Sequence, residues 1–192
     1  MKTTKKQQTH QRMLDAAGQS FRSKGYAGIG VDGIAKAAGV TSGAFYAHLG
    51  SKDKAFRAAV DAGLDEVISA IPKFQKEASE NWVKAFSEYY LGKSHRDDLA
   101  CGCAMTTLSP EVVRASPELH IAYEQKMKII ASSLANGLKA DSQSESLSHA
   151  WALLGILIGG LTMARAVNSS ESTEKIASSI IAAAIQAAGS TK

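Results

Sequence analysis

Along most of this chain apolar residues return every three or four positions, the spacing of one face of an α-helix. Met13, Leu14, Ala17 and Phe21 predict a first helix over residues 10–24, and Gly25 follows as a left-handed C-terminal cap. Ile34, Ala35 and Ala38 give a small apolar face to a second helix at 31–38, which Gly39 ends. Thr41 is a good N-cap for a third helix at 42–48, and Val40, Phe45 and Leu49 fill the angle between the two. Ser51 caps a fourth helix, with Asp53 in its first turn and Phe56, Val60, Leu64, Val67 and Ile71 on one face down to Pro72.

The pattern stays helical beyond that point. A helix at 79–93 carries Trp82, Phe86 and the Tyr89–Tyr90 pair, and a polar loop, SHRDDLA, follows it. The next, at 102–114, contains Pro110, which deforms or breaks it. Ser116–Pro117–Glu118 is a helix start: a capping Ser, Pro at the first helical position, then an acid. That helix runs to Leu138, and two more occupy 144–167 and 172–188. The expectation is an all-α chain of about nine helices.

Composition agrees. Apolar residues make up 45% and charged residues 21% of 192, and only three prolines interrupt the chain. The basic N-terminus has no apolar core behind it, unlike a secretory signal. The uncharged stretch from Ala150 to Ala164 is short for a membrane span and is interrupted by Gly155, Gly159 and Gly160. A cytoplasmic protein without a membrane anchor is expected. Two cysteines, Cys101 and Cys103, make no disulfide framework.

Charge divides the chain. Residues 1–60 hold ten Lys or Arg against three Asp or Glu, so they carry +7, and the remainder carries −3, which gives the overall +4. A basic first third on a mildly acidic body suggests a head that binds a polyanion. The head also holds two short helices separated by Gly39, Val40 and Thr41, the spacing of a helix-turn-helix.

Residues 10–64 resemble the DNA-binding head of the TetR family of bacterial transcriptional regulators. The residues that carry the likeness are Gly25–Tyr26, Ile34–Ala35, AAGVTSGAFYAHL and Ser51–Lys52. The resemblance implies a DNA-binding domain at 1–64 and an effector-binding and dimerisation domain at 65–192. It implies that the third helix enters the major groove of double-stranded operator DNA. Tyr46, His48 and Lys52 would then meet backbone phosphates, which fix register without reading sequence. Gly43 would let the DNA backbone approach, and Thr41, Ser42 and Ala44 would remain for base edges. The chain departs from the family at Gly30, where a Ser or Thr usually caps the second helix and meets phosphate, and at Gly33, where an Asp is common. Asp32 adds negative charge near the DNA.

A homodimer is the family's means of placing two heads on a palindrome. The Gly- and Ala-rich segments SHAWALLGILIGGLTMARAV and EKIASSIIAAAIQAAG suit close helix contact with a partner. An effector pocket would take its lining from Trp82, Phe86, Tyr89, Tyr90, Met105, Tyr123, Met127 and Trp151, each of which also reads as core. The segment CGCAMTTLSPEV resembles a branch of the family whose Gly-Cys pair senses electrophiles and hypochlorite-type oxidants. That implies Cys103 as a sensing thiol and Cys101 as a resolving one, against the plainer reading of Cys103 as a small buried hydrophobe. The leading expectation is a repressor released from its operator by a small molecule, with the thiol sensor as alternative.

Other classes have less support. Cys101, Cys103, His95 and His120 are metal-ligand types without a metal-site spacing. A Cys103–His120 hydrolase lacks a third group to orient it, and no GxSxG, HExxH, Walker or strand-linked GxGxxG motif is present. No enzyme activity, metal or cofactor is expected.

Overall fold

The computed structural model describes residues 4–192. The described residues form α1 (Lys5–Lys24), α2 (Val31–Ala37), α3 (Ser42–Leu49), α4 (Lys52–Ala78), α5 (Trp82–Tyr90), α6 (Lys93–Asp97), α7 (Ala104–Val112), α8 (Pro117–Asn136), α9 (Gln143–Ala166) and α10 (Ser170–Ala188). Two-residue strands β1 (Leu138–Lys139) and β2 (Ser190–Thr191) pair antiparallel. The fold is all-α, with a helix-turn-helix in its N-terminal part.

The chain divides into two compact units: residues up to Gly63 with Leu99–Tyr123, and Leu64–Asp98 with Glu124–Lys192. The first unit packs α1, α2 and α3 around Met13, Ala17, Phe21, Ile34 and Phe45, all fully buried. Phe21 meets the edge of Phe56 at 5.2 Å between ring centres, which brings in the first turns of α4. The segment 99–123 joins this unit through α7. Arg22 Nε donates to the Ala100 carbonyl at 2.6 Å, and the Tyr26 N–H donates to the Glu111 carboxylate at 3.2 Å. At Gly63 a Cβ would stand 2.4 Å from that of Ala104, so α4 and α7 come together where one side chain is missing.

In the second unit Trp82, Phe86 and Tyr90 form the buried face of α5, at the i, i+4, i+8 spacing their sequence predicts. Trp82 Nε1 donates to the Gly137 carbonyl at 3.2 Å, and Phe74 of α4 packs on Phe86 at 5.5 Å. α9 buries Leu153, Leu154, Leu157 and Leu161. Gly160 lies under Ile180 of α10, where a Cβ would stand 2.3 Å from that side chain. α9 is long and apolar enough by composition to cross a membrane. Its leucine stripe is nevertheless buried within this unit.

Several boundaries differ from the periodicity. α1 starts at Lys5 because Thr4 and Gln7 make a reciprocal capping box, five residues before the predicted start at 10. α4 continues through Pro72 to Ala78. Pro72 forfeits one backbone hydrogen bond, but Ile71 beside it is fully buried and Phe74 packs on Phe86, which hold the helix across the gap. The predicted helix at 79–93 is a 3-10 turn at Ser79–Asn81 followed by α5, because Ser79 adopts φ 46 and breaks the run. Part of the predicted SHRDDLA loop is α6, whose His95 carbonyl accepts from Arg165 Nε at 2.9 Å.

Candidate nucleic-acid interface

The helix-turn-helix is built locally. α2 ends at Ala37 with Ala38 as its C-cap, and Gly39 takes φ 64, a conformation that side-chain-bearing residues avoid. The chain then re-enters a helix at Thr41, whose hydroxyl oxygen accepts the Ala44 N–H at 3.2 Å. α3 turns Phe45 and Leu49 into the core. Geometry then leaves Ser42, Gly43, Tyr46 and Ala47 on the other face, Tyr46 with 54% of its surface exposed. This is a short helix with small residues and one aromatic outward, a shape that fits into a groove.

The candidate contacts occupy that face and its ends. Gly43 is exposed, and a Cβ there would meet only the Thr41 hydroxyl at 3.9 Å. Ala44 and His48 are half-buried at its edges, and the His48 ring centre lies 6.0 Å from that of His10. Thr41 uses its hydroxyl oxygen on its own helix. Ser42 donates to the Asp32 carboxylate at 2.5 Å, so the acid at the start of α2 engages α3 directly. Gly30 is the N-cap of α2 without a side-chain bond, and a Cβ there would meet nothing within 4 Å. At Gly33 a Cβ would stand 2.6 Å from Ile29 Cδ1.

Lys52 opens α4 with its ammonium 4.3 Å from the centre of the Tyr26 ring. The Tyr26 hydroxyl donates to the Asp53 carboxylate. That hydrogen bond, then partial burial, then the charge of Asp53 push the Tyr26 phenol up to about 12. Tyr26 therefore couples three residues: its backbone is held by Glu111, its ring faces Lys52, and its hydroxyl fixes Asp53. The sequence marks Gly25–Tyr26 as a motif, but the partner Glu111 is 85 residues away and no local pattern points to it.

A concave groove of about 850 Å3 runs beside α3, lined by Lys6, Gln7, His10, Arg12, Ala47 and His48 among others. Periodicity gives no sign of it, because α1 extends into the polar stretch before its first apolar residue. The basic composition of the N-terminus was the available signal. Lys6 and Arg12 put positive charge on its wall.

The body residues separate. Met105 and Tyr123 lie in the first unit, where the Tyr123 hydroxyl shares a 2.6 Å hydrogen bond with Ser109, and burial pushes the Tyr123 phenol up. Trp82, Phe86, Tyr89, Tyr90, Met127 and Trp151 lie in the second. Of these, Tyr89 and Trp151 are exposed and the others buried. The first unit holds a cavity of about 600 Å3 lined by Tyr26, Phe56, Arg57, Glu111, Arg114 and Leu119 among others, and none of the eight candidates. Cys103 is the N-cap residue of α7 and is buried, whereas Cys101 is exposed. The two are not joined in a disulfide. Among the described residues no three of His, Cys, Asp and Glu gather as a metal site.

Residues 13–59 match the family model of bacterial regulatory proteins, tetR family. No curated protein matches the chain. Solved structures share its fold over nearly the whole length. A TetR-family transcriptional regulator of Cytophaga hutchinsonii has a TM-score of 0.76 and 16% identity, with 97% of this chain and 98% of that one covered. A TetR-family regulator of Mesorhizobium loti gives 0.70 and 18%, covering 96% and 98%. The reduced form of NemR from E. coli gives 0.74 and 19%, covering 90% and 95%. Residues 13–59 are thus a tetR-family regulatory domain, in a chain that has the fold of that family.

Proposed function

We propose that this tetR-family chain is a cytoplasmic transcriptional repressor that binds a palindromic operator as a homodimer and releases it on meeting a small-molecule effector. The observation that carries the DNA reading is the outward face of α3. Gly43 and Tyr46 are exposed on it and Ser42 half-buried, Lys52 follows at the start of α4, and a groove carrying Lys6 and Arg12 runs beside Ala47 and His48. Tyr46, His48 and Lys52 take phosphates, Gly43 admits the backbone, and Thr41, Ser42 and Ala44 face base edges. Gly30 can offer only backbone there.

One head reads too few bases to define an operator, so a second copy is required. The exposed side of α9 supplies a surface for it. Trp151, Ala152, Gly155, Gly159, Thr162, Met163 and Ala166 recur at helical spacing and are all exposed in the single chain. A Cβ at Gly155 or Gly159 would meet nothing within 4 Å. Small residues with a Trp and a Met beside them admit close approach of another helix.

The effector reading rests on the family resemblance alone: Trp82, Phe86, Tyr90 and Met127 are buried in the second unit and Met105 in the first, so it assigns neither a lining nor a chemical class. A second reading, a thiol switch, is favoured by Cys103 at the N-terminus of α7. Exposed Cys101 lies two residues away. NemR, one of the structures of similar fold, is known in a form described as reduced.

Duplex retention with a stoichiometry of two chains per site tests the proposal. Binding of one chain per site, or no preference for duplex DNA over heparin, contradicts it.

A further inference from the structure

We propose that Asp32 sets the base preference of the recognition helix by fixing the hydroxyl of Ser42 as an acceptor. This inference rests on the DNA-binding reading above.

A serine hydroxyl is ordinarily ambivalent, with one proton to donate and two lone pairs to accept. Free to rotate, it suits any base edge, and so it discriminates poorly. Here it is not free. Ser42 Oγ lies 2.5 Å from Asp32 Oδ1. An ionised carboxylate has no proton to give, so the proton in this bond belongs to Ser42. What remains on Ser42 toward the groove is lone pairs, and the second oxygen of Asp32 is an acceptor too.

The major groove offers donors of only one kind: the amino groups of cytosine N4 and adenine N6. Guanine shows only acceptors there, and thymine an acceptor and a methyl group. An acceptor-only pair therefore selects A or C, against G or T, on the strand it faces. Both residues are placed for this. Asp32 is exposed in the first turn of α2, and Ser42 is in the first turn of α3 on the same face as Gly43 and Tyr46. The pairing also gives a physical use to a negative charge that otherwise only repels phosphate. Asp32 is a positioning residue for Ser42, and any contact of its own with cytosine adds to the same preference.

The test is selection from a randomised duplex DNA pool with wild type, Ser42→Ala, Asp32→Ala and Asp32→Asn. In the wild type, the half-site position relaxed by Ser42→Ala carries A or C on one strand by roughly tenfold over G or T. Asp32→Ala admits G and T at that position and leaves the other positions of the site unchanged, which shows that the head still folds and docks. Asp32→Asn, whose amide both donates and accepts, also widens the position. Two results overturn the proposal alone: G or T at the position sensitive to Ser42→Ala in the wild type, or an unchanged preference in both Asp32 variants. A pool from which no variant and no wild type retains duplex overturns the DNA-binding reading as well.

Discussion

The Lys52 ammonium lies 4.3 Å from the centre of the Tyr26 ring, while the hydroxyl of the same ring donates to Asp53, the next residue along. One side chain thus steers the first basic residue of α4 and satisfies the first acidic one. The pH dependence follows. An ordinary tyrosine titrates near 10, and Tyr26 is raised to about 12. The folded chain holds this proton more tightly than the unfolded chain. Its stabilisation is complete below about pH 10 and is lost as pH rises toward 12. Tyr26→Phe should cost about 1 kcal/mol at neutral pH, since the bond is largely exposed. Denaturant melts at pH 8 and 11 check this: the gap between wild type and variant narrows at the higher pH. An equal gap at both removes the hydrogen bond from the account.

Gly30 invites a gain of function. Its missing side chain faces open space and α2 has no side-chain cap. Gly30→Ser should add a few tenths of a kcal/mol to stability and tighten DNA binding several-fold through a new phosphate contact. Thermal melting and anisotropy titration measure the two separately. Weaker binding by a stable variant would mean that the DNA backbone passes where the new side chain stands.

Three glycines on α9 have different surroundings and should respond differently. Gly160→Ala drives a methyl into Ile180 and should cost about 1–3 kcal/mol through overpacking. Gly155→Leu with Gly159→Leu meets nothing in the single chain and should leave its helix content intact. If the exposed side of α9 is the dimer surface, that double variant, like Ile185→Glu on α10, becomes monomeric in light scattering and loses the operator. A double variant that remains dimeric places the interface elsewhere.

Much of this was legible beforehand, for reasons that differ by element. Phe45 and Leu49 at i, i+4 announce α3 and its buried side, and Thr41 and Gly39 announce its start. The capping box at Thr4 and Gln7 was also in the sequence, but no apolar face begins until Met13, and periodicity alone starts the helix late. The pairing of Leu138–Lys139 with Ser190–Thr191 is a two-residue, non-local contact that no pattern encodes. At the interface, periodicity exposes Tyr46. It does not show that Ser42 is tied to Asp32, or that Tyr26 stands between Glu111 and Lys52, because each link is made across helices.

The cysteines give a reactivity prediction. Exposed Cys101 should alkylate quickly with N-ethylmaleimide, and buried Cys103 only slowly. If Cys103 is the sensor, mild hypochlorite should release DNA from wild type and not from Cys103→Ser. Mass spectrometry of the modified peptides, paired with operator binding, reads both. An identical response in wild type, Cys101→Ser and Cys103→Ser leaves Cys103 as a packing residue.

The central claim is that α3 and the start of α4 dock on DNA through phosphates. Its most direct measurement is the salt dependence of operator affinity for wild type and Lys52→Ala. Each phosphate neutralised contributes a slope of about −0.9 in log affinity against log salt. Wild type should show a steep slope, and Lys52→Ala should weaken binding to all sequences with a slope shallower by about 1. A wild-type affinity indifferent to salt, or a Lys52→Ala slope and affinity equal to wild type, would contradict the docking.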